Sequence, residues 1–413
     1  MIRRLSALLV GAALIATTAP AAAQDPAATV RFPQFGAEID LSLIGIGTTR
    51  ASDPARRGAS VFLFGELALG LALSETFSLQ GVLATEPIGE GDTTGGFPQD
   101  GLIGFRRQAL FVEQLYAQWQ PREGLALQGG ILVAPFGRGH HDFPGILTAI
   151  RAHEVYLVDQ SLGVGATWTW LDDTRFGTHD ISGAVFTLDR SFITSTLITS
   201  RRCCSERHER YRRNTAAQGG PGNTGRLNNF ALALDGDKMP LLPGLSYHLA
   251  LLSRGAGSDG TAREWGYAVA LRYEQRWTRD HSTLLFAEAV QLRTAGGRPR
   301  VEIETEGLDP DTGEEITESA ETTLAERLTF TTLGVQHRIG PWRGTLAWQH
   351  LRRKRSVAPL PVENWFEASV GRALGAGFSL DIGYQYARYA EEEGGARGTS
   401  HAVLGRLRYT GSL

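Results

Sequence analysis

The chain has 413 residues, 41 Lys+Arg against 44 Asp+Glu, a formal net charge of −3, and two cysteines that are neighbours, Cys203 and Cys204. A slightly acidic chain is a poor ligand for nucleic acid, and two adjacent cysteines cannot build a disulfide framework. Such a length calls for several domains or for one large closed sheet.

The first residues read MIRRLSALLVGAALIATTAPAAAQD. Arg3 and Arg4 form a charged n-region, Leu5 to Ala16 an apolar h-region and Ala21-Ala22-Ala23 a cleavage site, which predicts a secretory signal peptide over 1–23. Residues 24–413 remain, with a net charge of about −5 once Arg3 and Arg4 are gone from the −3 of the whole chain. No later apolar run is long enough for a spanning helix. Period-two segments recur instead. Val61, Leu63, Leu67, Leu69 and Leu71 share one face, as do Trp265, Tyr267, Val269, Leu271 and Tyr273, and again Phe378, Leu380, Ile382, Tyr384 and Tyr386. Sixteen such segments can be read, the first near 36–49, the fifth near 124–136 and the last near 400–413. Every second junction is short (LSET, QPREG, TRDH, IGPW, LGAG), while the others are long, notably about 190–227 and 294–325. Short turns on one rim, long loops on the other and an even strand count predict an all-β fold, a 16-stranded antiparallel transmembrane β-barrel with apolar residues facing lipid and a polar lumen. The eight tryptophans, Trp119, Trp168, Trp170, Trp265, Trp277, Trp342, Trp348 and Trp365, fall near strand ends, where interfacial girdles belong. A secreted β-sandwich or propeller is the competing fold. Outer-membrane lipid and lipopolysaccharide are the expected surroundings.

At the fifth segment the chain reads LALQGGILVAPFGRGHHDFPG, after LFVEQLYAQWQPREG. The order of glycines, alternating apolars and Pro135-Phe136-Gly137 resembles the phosphate-selective porin O/P type and related small-solute porins. That resemblance implies an outer-membrane channel for small hydrophilic solutes and a trimeric assembly. It also implies that the loop after the fifth strand, about Gly137 to Asp159, folds inward and narrows the channel. Arg138, His140, His141, Asp142, Arg151, His153 and Glu154 are then the constriction candidates, where mixed charges act through fields stronger than in bulk water. The last segment, HAVLGRLRYTGSL, resembles the C-terminal signal read by the barrel-assembly machinery, with Leu413 in place of the usual phenylalanine.

The strand phases add a second set of lumen-facing residues: Arg272, Glu274, Arg276, Arg343, Arg406 and Arg408. Arginine at mid-membrane on the lipid side costs about 2–4 kcal/mol, which favours the inward phase. Arginines outnumber acids in this set, so the lumen leans toward anions, although Glu66, Glu274 and Asp381 share the inward phase. Two loops stand out by charge. SRRCCSERHERYRR, Ser200 to Arg213, is an outer loop that could be plainly solvated, neutralise lipopolysaccharide phosphates or draw anions to the channel mouth. RVEIETEGLDPDTGEEITESAETTLAE, Arg300 to Glu326, lacks the EF-hand spacing and reads as a solvated outer loop, with VEIETE suggesting a hairpin. His140-His141-Asp142 and Cys203-Cys204 lack the spaced ligands of a metal site. Neither a cofactor nor an enzymatic activity is expected. Selective uptake of metal chelates or siderophores is one alternative function. An outer-membrane hydrolase is another, opposed by Ser400 and His401, which as neighbours on a strand face opposite ways.

Overall fold

The structure, a computed structural model, describes residues 31–87, 102–105, 108–199, 215–308, 315–357, 360–390 and 397–413. The signal segment 1–23, the arginine-rich stretch with Cys203 and Cys204, and the middle of the acidic loop lie outside these residues.

Sixteen strands among the described residues form the barrel wall. They are β1 (Gln34–Ala51), β2 (Gly58–Ala72), β3 (Phe77–Pro87), β4 (Gln108–Arg122), β5 (Leu125–Leu132), β6 (Ser161–Asp173), β7 (Gly177–Leu188) and β8 (Asn229–Asp237) in the first half. The second half comprises β9 (Leu245–Arg254), β10 (Glu264–Thr278), β11 (His281–Arg293), β12 (Glu326–Ile339), β13 (Trp342–Arg355), β14 (Glu363–Gly375), β15 (Phe378–Ala390) and β16 (Arg397–Ser412). Each strand pairs antiparallel with the next, and β16 returns to β1 from Glu38↔Ser412 to Ala51↔Ser400, so the sheet closes on itself. Closure matters because a strand edge in hydrocarbon would leave its N–H and C=O groups without partners.

The distribution of apolar residues is inverted relative to a soluble protein. On β10, Tyr267, Val269 and Leu271 are 40–49% exposed, whereas their neighbours Ala268 and Ala270 are buried. The same alternation exposes Leu285 on β11, Leu333 on β12, Leu346 on β13, Val370 on β14 and Ile382 on β15. These residues form the lipid-facing belt, and the barrel is of the outer-membrane type. Trp119, Trp168, Trp170, Trp277 and Trp342 are exposed near the short-turn rim. Trp365 departs from the expected girdle: it faces the lumen and is buried, because a segment of the interior packs against it.

The wall is irregular where strands are short. β3 pairs with β2 only as far as Gly65↔Thr85. Above that point Leu102–Gly104 runs parallel to Ala59–Val61, and the Gln108 side chain accepts from Leu63 N at 3.0 Å and donates to Leu63 O at 2.9 Å. An amide side chain thus stands in for a missing strand residue. β5 ends at Leu132, four residues before the sequence expectation, and Ile198–Thr199 pairs with the part of β4 that β5 leaves uncovered. A bulge in β4 skips Glu113, since Val82 pairs with Gln114 and Leu83 with Val112. The bulge lets both Glu113 and Gln114 point inward. The acidic segment forms a separate hairpin, Arg300–Leu308 with Glu315–Thr323, as its pattern suggests.

The inversion can be tested one residue away from a native arginine. Leu271→Arg puts a guanidinium on the lipid side and should cost about 2–4 kcal/mol in urea unfolding from lipid vesicles, provided the site lies near the bilayer centre. Native Arg272, in the opposite phase, is tolerated.

Candidate functional site

After Leu132 the chain leaves the wall and enters the barrel, returning at Ser161. The cause lies in the PFG turn. Gly137 has φ +80°, a left-handed value, and a Cβ there would stand 2.2 Å from the Tyr156 ring. Only glycine fits. Two helices follow, α1 (Gly139–Asp142) and α2 (Thr148–Tyr156).

Apolar contacts seat this loop. Phe136, Phe143, Ile146, Leu147, Ile150 and Tyr156 are nearly inaccessible to solvent. Phe136 and Tyr156 pack among Leu252, Val290 and Phe330, and Phe143 lies 4.7 Å from Phe286, ring centre to ring centre. Ile146, Leu147 and Ile150 meet Ile44, Phe62 and Leu404 on the opposite side. Each such burial stabilises the docked loop by about 1.5–3 kcal/mol before the cost of ordering is subtracted. The barrel therefore contains a small hydrophobic core of its own, built between loop and wall.

Wall side chains then fix the loop's backbone. Glu288 on β11 accepts from Arg138 N at 2.7 Å and Gly139 N at 3.0 Å, and also from the Tyr156 hydroxyl. A Cβ at Gly139 would stand 2.6 Å from the Glu288 carboxylate, so a larger residue would block this approach. Glu367 on β14 accepts from Ile146 N at 2.5 Å and Leu147 N at 2.9 Å. Both carboxylates thus take free N–H groups at the start of a helix, where negative charge is favoured. Gln349 on β13 donates to Thr148 O at 2.8 Å and accepts from Arg151 at 2.7 Å. Arg406 on β16 donates to Gly145 O at 2.7 Å.

The constriction candidates are placed unequally. Arg138, which caps α1, forms an ion pair with Asp142 at its end, and both keep partial exposure. His141 and Glu154 are exposed, and His141 stands 3.9 Å from Glu66 on β2. His153 is nearly buried, 3.9 Å from Glu86 on β3 and edge-on to Phe64. His140 and Arg151 are buried. The Arg151 guanidinium lies 4.5 Å over the Trp365 ring, and burial pushes it down to about 10, which leaves it cationic at neutral pH. On the wall, Arg343 and Arg406 both reach Asp381, at 2.8 and 3.0 Å. Arg408 donates to Asp40 at 2.7 Å, and Arg276 lies 3.5 Å from Glu274. Arg272 shares the phase of Ala268 and Ala270, on the lumen side.

Glu288, Glu367, Gln349 and Tyr156 do not stand out in the sequence. The available signal is weak: each wall residue is a polar position in an inward phase, and only the loop's location says which of those positions matter. Glu113 belongs with them, fully buried at its bulge with neither carboxylate oxygen hydrogen-bonded. His401 faces outward and bonds to Tyr384, away from Ser400. Among the described residues no group of three or more His, Cys, Asp or Glu stands at metal-ligating spacing.

No protein-family model matches the sequence, and no curated protein matches it. Solved structures show the fold. OprB of Pseudomonas putida is similar over 92% of this chain and 94% of its own, with TM-score 0.57 and 10% identity. The outer membrane channel DcaP of Acinetobacter baumannii is similar over 92% and 96%, with TM-score 0.51 and 9% identity. The chain shares the outer-membrane porin fold with both.

Two predictions concern the loop. Glu288→Gln or Glu367→Gln removes the charge that holds two backbone N–H groups, a change of about 1.5–3 kcal/mol for a charged hydrogen bond. Single-channel recordings should then show added flicker and sublevels. The second concerns pH. Burial first, then His141, His153 and His248, hold the His140 pKa well below the ordinary imidazole value, and burial likewise lowers His153. A docked loop with neutral imidazoles binds fewer protons than a released one, so docking is strongest above about pH 6.5 and weakens as pH falls through that value. Asp159, pushed up to about 6 chiefly by burial, acts in the opposite sense: its proton favours the docked loop at low pH and that contribution is lost as pH rises. His140→Gln removes one of the two imidazoles, so current noise should rise less on going from pH 7.5 to 5.5 in this variant than in wild type.

Proposed function

We propose that the protein is an outer-membrane channel through which small hydrophilic solutes diffuse, narrowed by the inserted loop and leaning modestly toward anions. One observation carries this reading. A long loop is folded inside a 16-stranded barrel and bound to its wall, while its polar side chains Arg138, His141, Asp142 and Glu154 keep contact with solvent. A barrel of this size encloses an aqueous lumen, and an inward loop turns a wide hole into a selective one. The fold shared with an outer membrane channel supports the same reading. Residues 1–23, on this view, direct export and are removed.

The anion preference rests on how the wall charges pair. Asp381 is 3% exposed and serves both Arg343 and Arg406, so two guanidinium groups share one carboxylate. Arg272 adds a further positive charge in the lumen phase. Arg408 with Asp40, Arg276 with Glu274 and Arg138 with Asp142 are balanced pairs, which keeps the preference modest.

Asp381→Asn tests this. It removes one negative charge, whose field at about 10 Å in water is worth about 0.4 kcal/mol, or roughly a twofold change in permeability ratio. In planar bilayers with asymmetric KCl the reversal potential should move toward the chloride equilibrium value, and Arg272→Gln should move it the other way. If neither variant changes the potential, the wall arginines do not set selectivity. If the purified protein gives no conductance step, the channel reading fails.

A further inference from the structure

The outer face of β11–β13 carries a charge arrangement that conduction does not use. Arg293 stands directly opposite Arg327, and Arg327 directly opposite Lys354, so three cations on three neighbouring strands form a row across the sheet. Like charges in directly opposed positions weaken a sheet, so the row calls for an external partner. Arg293 donates to the Gln291 side chain at 3.0 Å. Arg327 and Lys354 have no ion-pair partner among the described residues. The row borders a cleft of about 400 Å³, which Arg298 and Arg355 also line. Glu326 is the acid in that lining, and Arg355 occupies it at 2.6 Å. On the nearby hairpin Glu321 is taken by Arg300 at 3.7 Å. Among the described lining residues positive charge is therefore in excess.

The phase of the three cations says what can reach them. Arg293 is in phase with Leu285, Arg327 with Leu333 and Lys354 with Leu346, all exposed on the lipid-facing side. The Arg293 guanidinium also lies 5.3 Å over the ring of Tyr267, an outward residue of the belt. The row thus sits beyond the apolar band at its long-loop edge, level with the headgroups of the outer leaflet. Arginine offers a planar fork to phosphate oxygens, and lysine adds a mobile point charge. We infer that this row and its cleft form a binding site for a phosphorylated glycolipid headgroup of the outer leaflet, of the lipid A type. The ligand approaches from the bilayer, not from the pore, so the site is independent of the solute that the channel passes.

Native mass spectrometry of the full-length protein, with defined lipids added to the detergent-purified barrel, tests this. The probes are bisphosphorylated lipid A, its dephosphorylated form and inorganic phosphate. Wild type should hold the bisphosphorylated lipid, and the Arg327→Gln/Lys354→Gln double variant should hold it at least tenfold more weakly. Arg293→Gln alone should cause a smaller loss. Arg372→Gln serves as the control, since Arg372 lies over Trp342 at the other rim and its loss removes the same single charge as Arg293→Gln. It should bind as wild type does. Heat-modifiable gel mobility shows that each variant is a folded barrel. Equal retention by the double variant overturns the proposal, as does equal binding of dephosphorylated lipid A. Full displacement of the lipid by millimolar inorganic phosphate also overturns it, because the site would then belong to a soluble anion.

Discussion

A backbone amide in hydrocarbon has no water to turn to, and this one constraint shapes the whole wall. It is met by sixteen strands closed edge to edge, and the irregular places show how strictly. Where β3 falls short, Leu102–Gly104 and the Gln108 side chain complete the pairing of β2. Where β5 stops at Leu132, Ile198–Thr199 covers β4. The two backbone patches, Leu102–Gly104 and Ile198–Thr199, come from loops on the outer rim, so part of what looks like connecting chain belongs to the wall. With the backbone satisfied, the side chains are free to sort by solvent: Leu271 toward lipid, Arg272 toward water.

That sorting is why the wall is legible in the sequence. Alternation such as Tyr267, Val269, Leu271 against Ala268, Ala270, Arg272 reports a surface with a different solvent on each side, and the structure has strands and phases where the pattern puts them. The same pattern misleads at β5. Leu132, Ala134 and Phe136 continue the alternation, which extends the expected strand to residue 136, yet Ala134 and Phe136 are buried inside the lumen. Their apolar partners are Leu252, Val290 and Phe330 on the far wall. Periodicity detects that a face is dry; it does not say whether lipid or protein keeps it dry. Trp365 is the same case at a single residue.

The loop's anchoring is less legible for a different reason. Glu288 and Glu367 contact residues about 150 and 220 positions earlier in the chain. Nothing local marks them, because an inward carboxylate facing water and one holding a helix start look alike in sequence. The loop candidates themselves divide along the same line. Arg151 is a charged residue used as packing, stacked on Trp365 and tied to Gln349, whereas Arg138 and Asp142 keep contact with solvent. Charge in a sequence thus does not separate the groups that meet water in the lumen from those that hold the scaffold.

The pairing of β1 with β16 has a kinetic corollary. The two strands that seal the cylinder are those made first and last by the ribosome, about 350 residues apart. Every other full strand in the wall pairs with its neighbour in chain order, and can do so before the last strand is made. The seam cannot. Until β16 arrives, β1 is an open edge with an oily side, a species prone to clumping in water. The open β1 edge must therefore be shielded until β16 pairs with it.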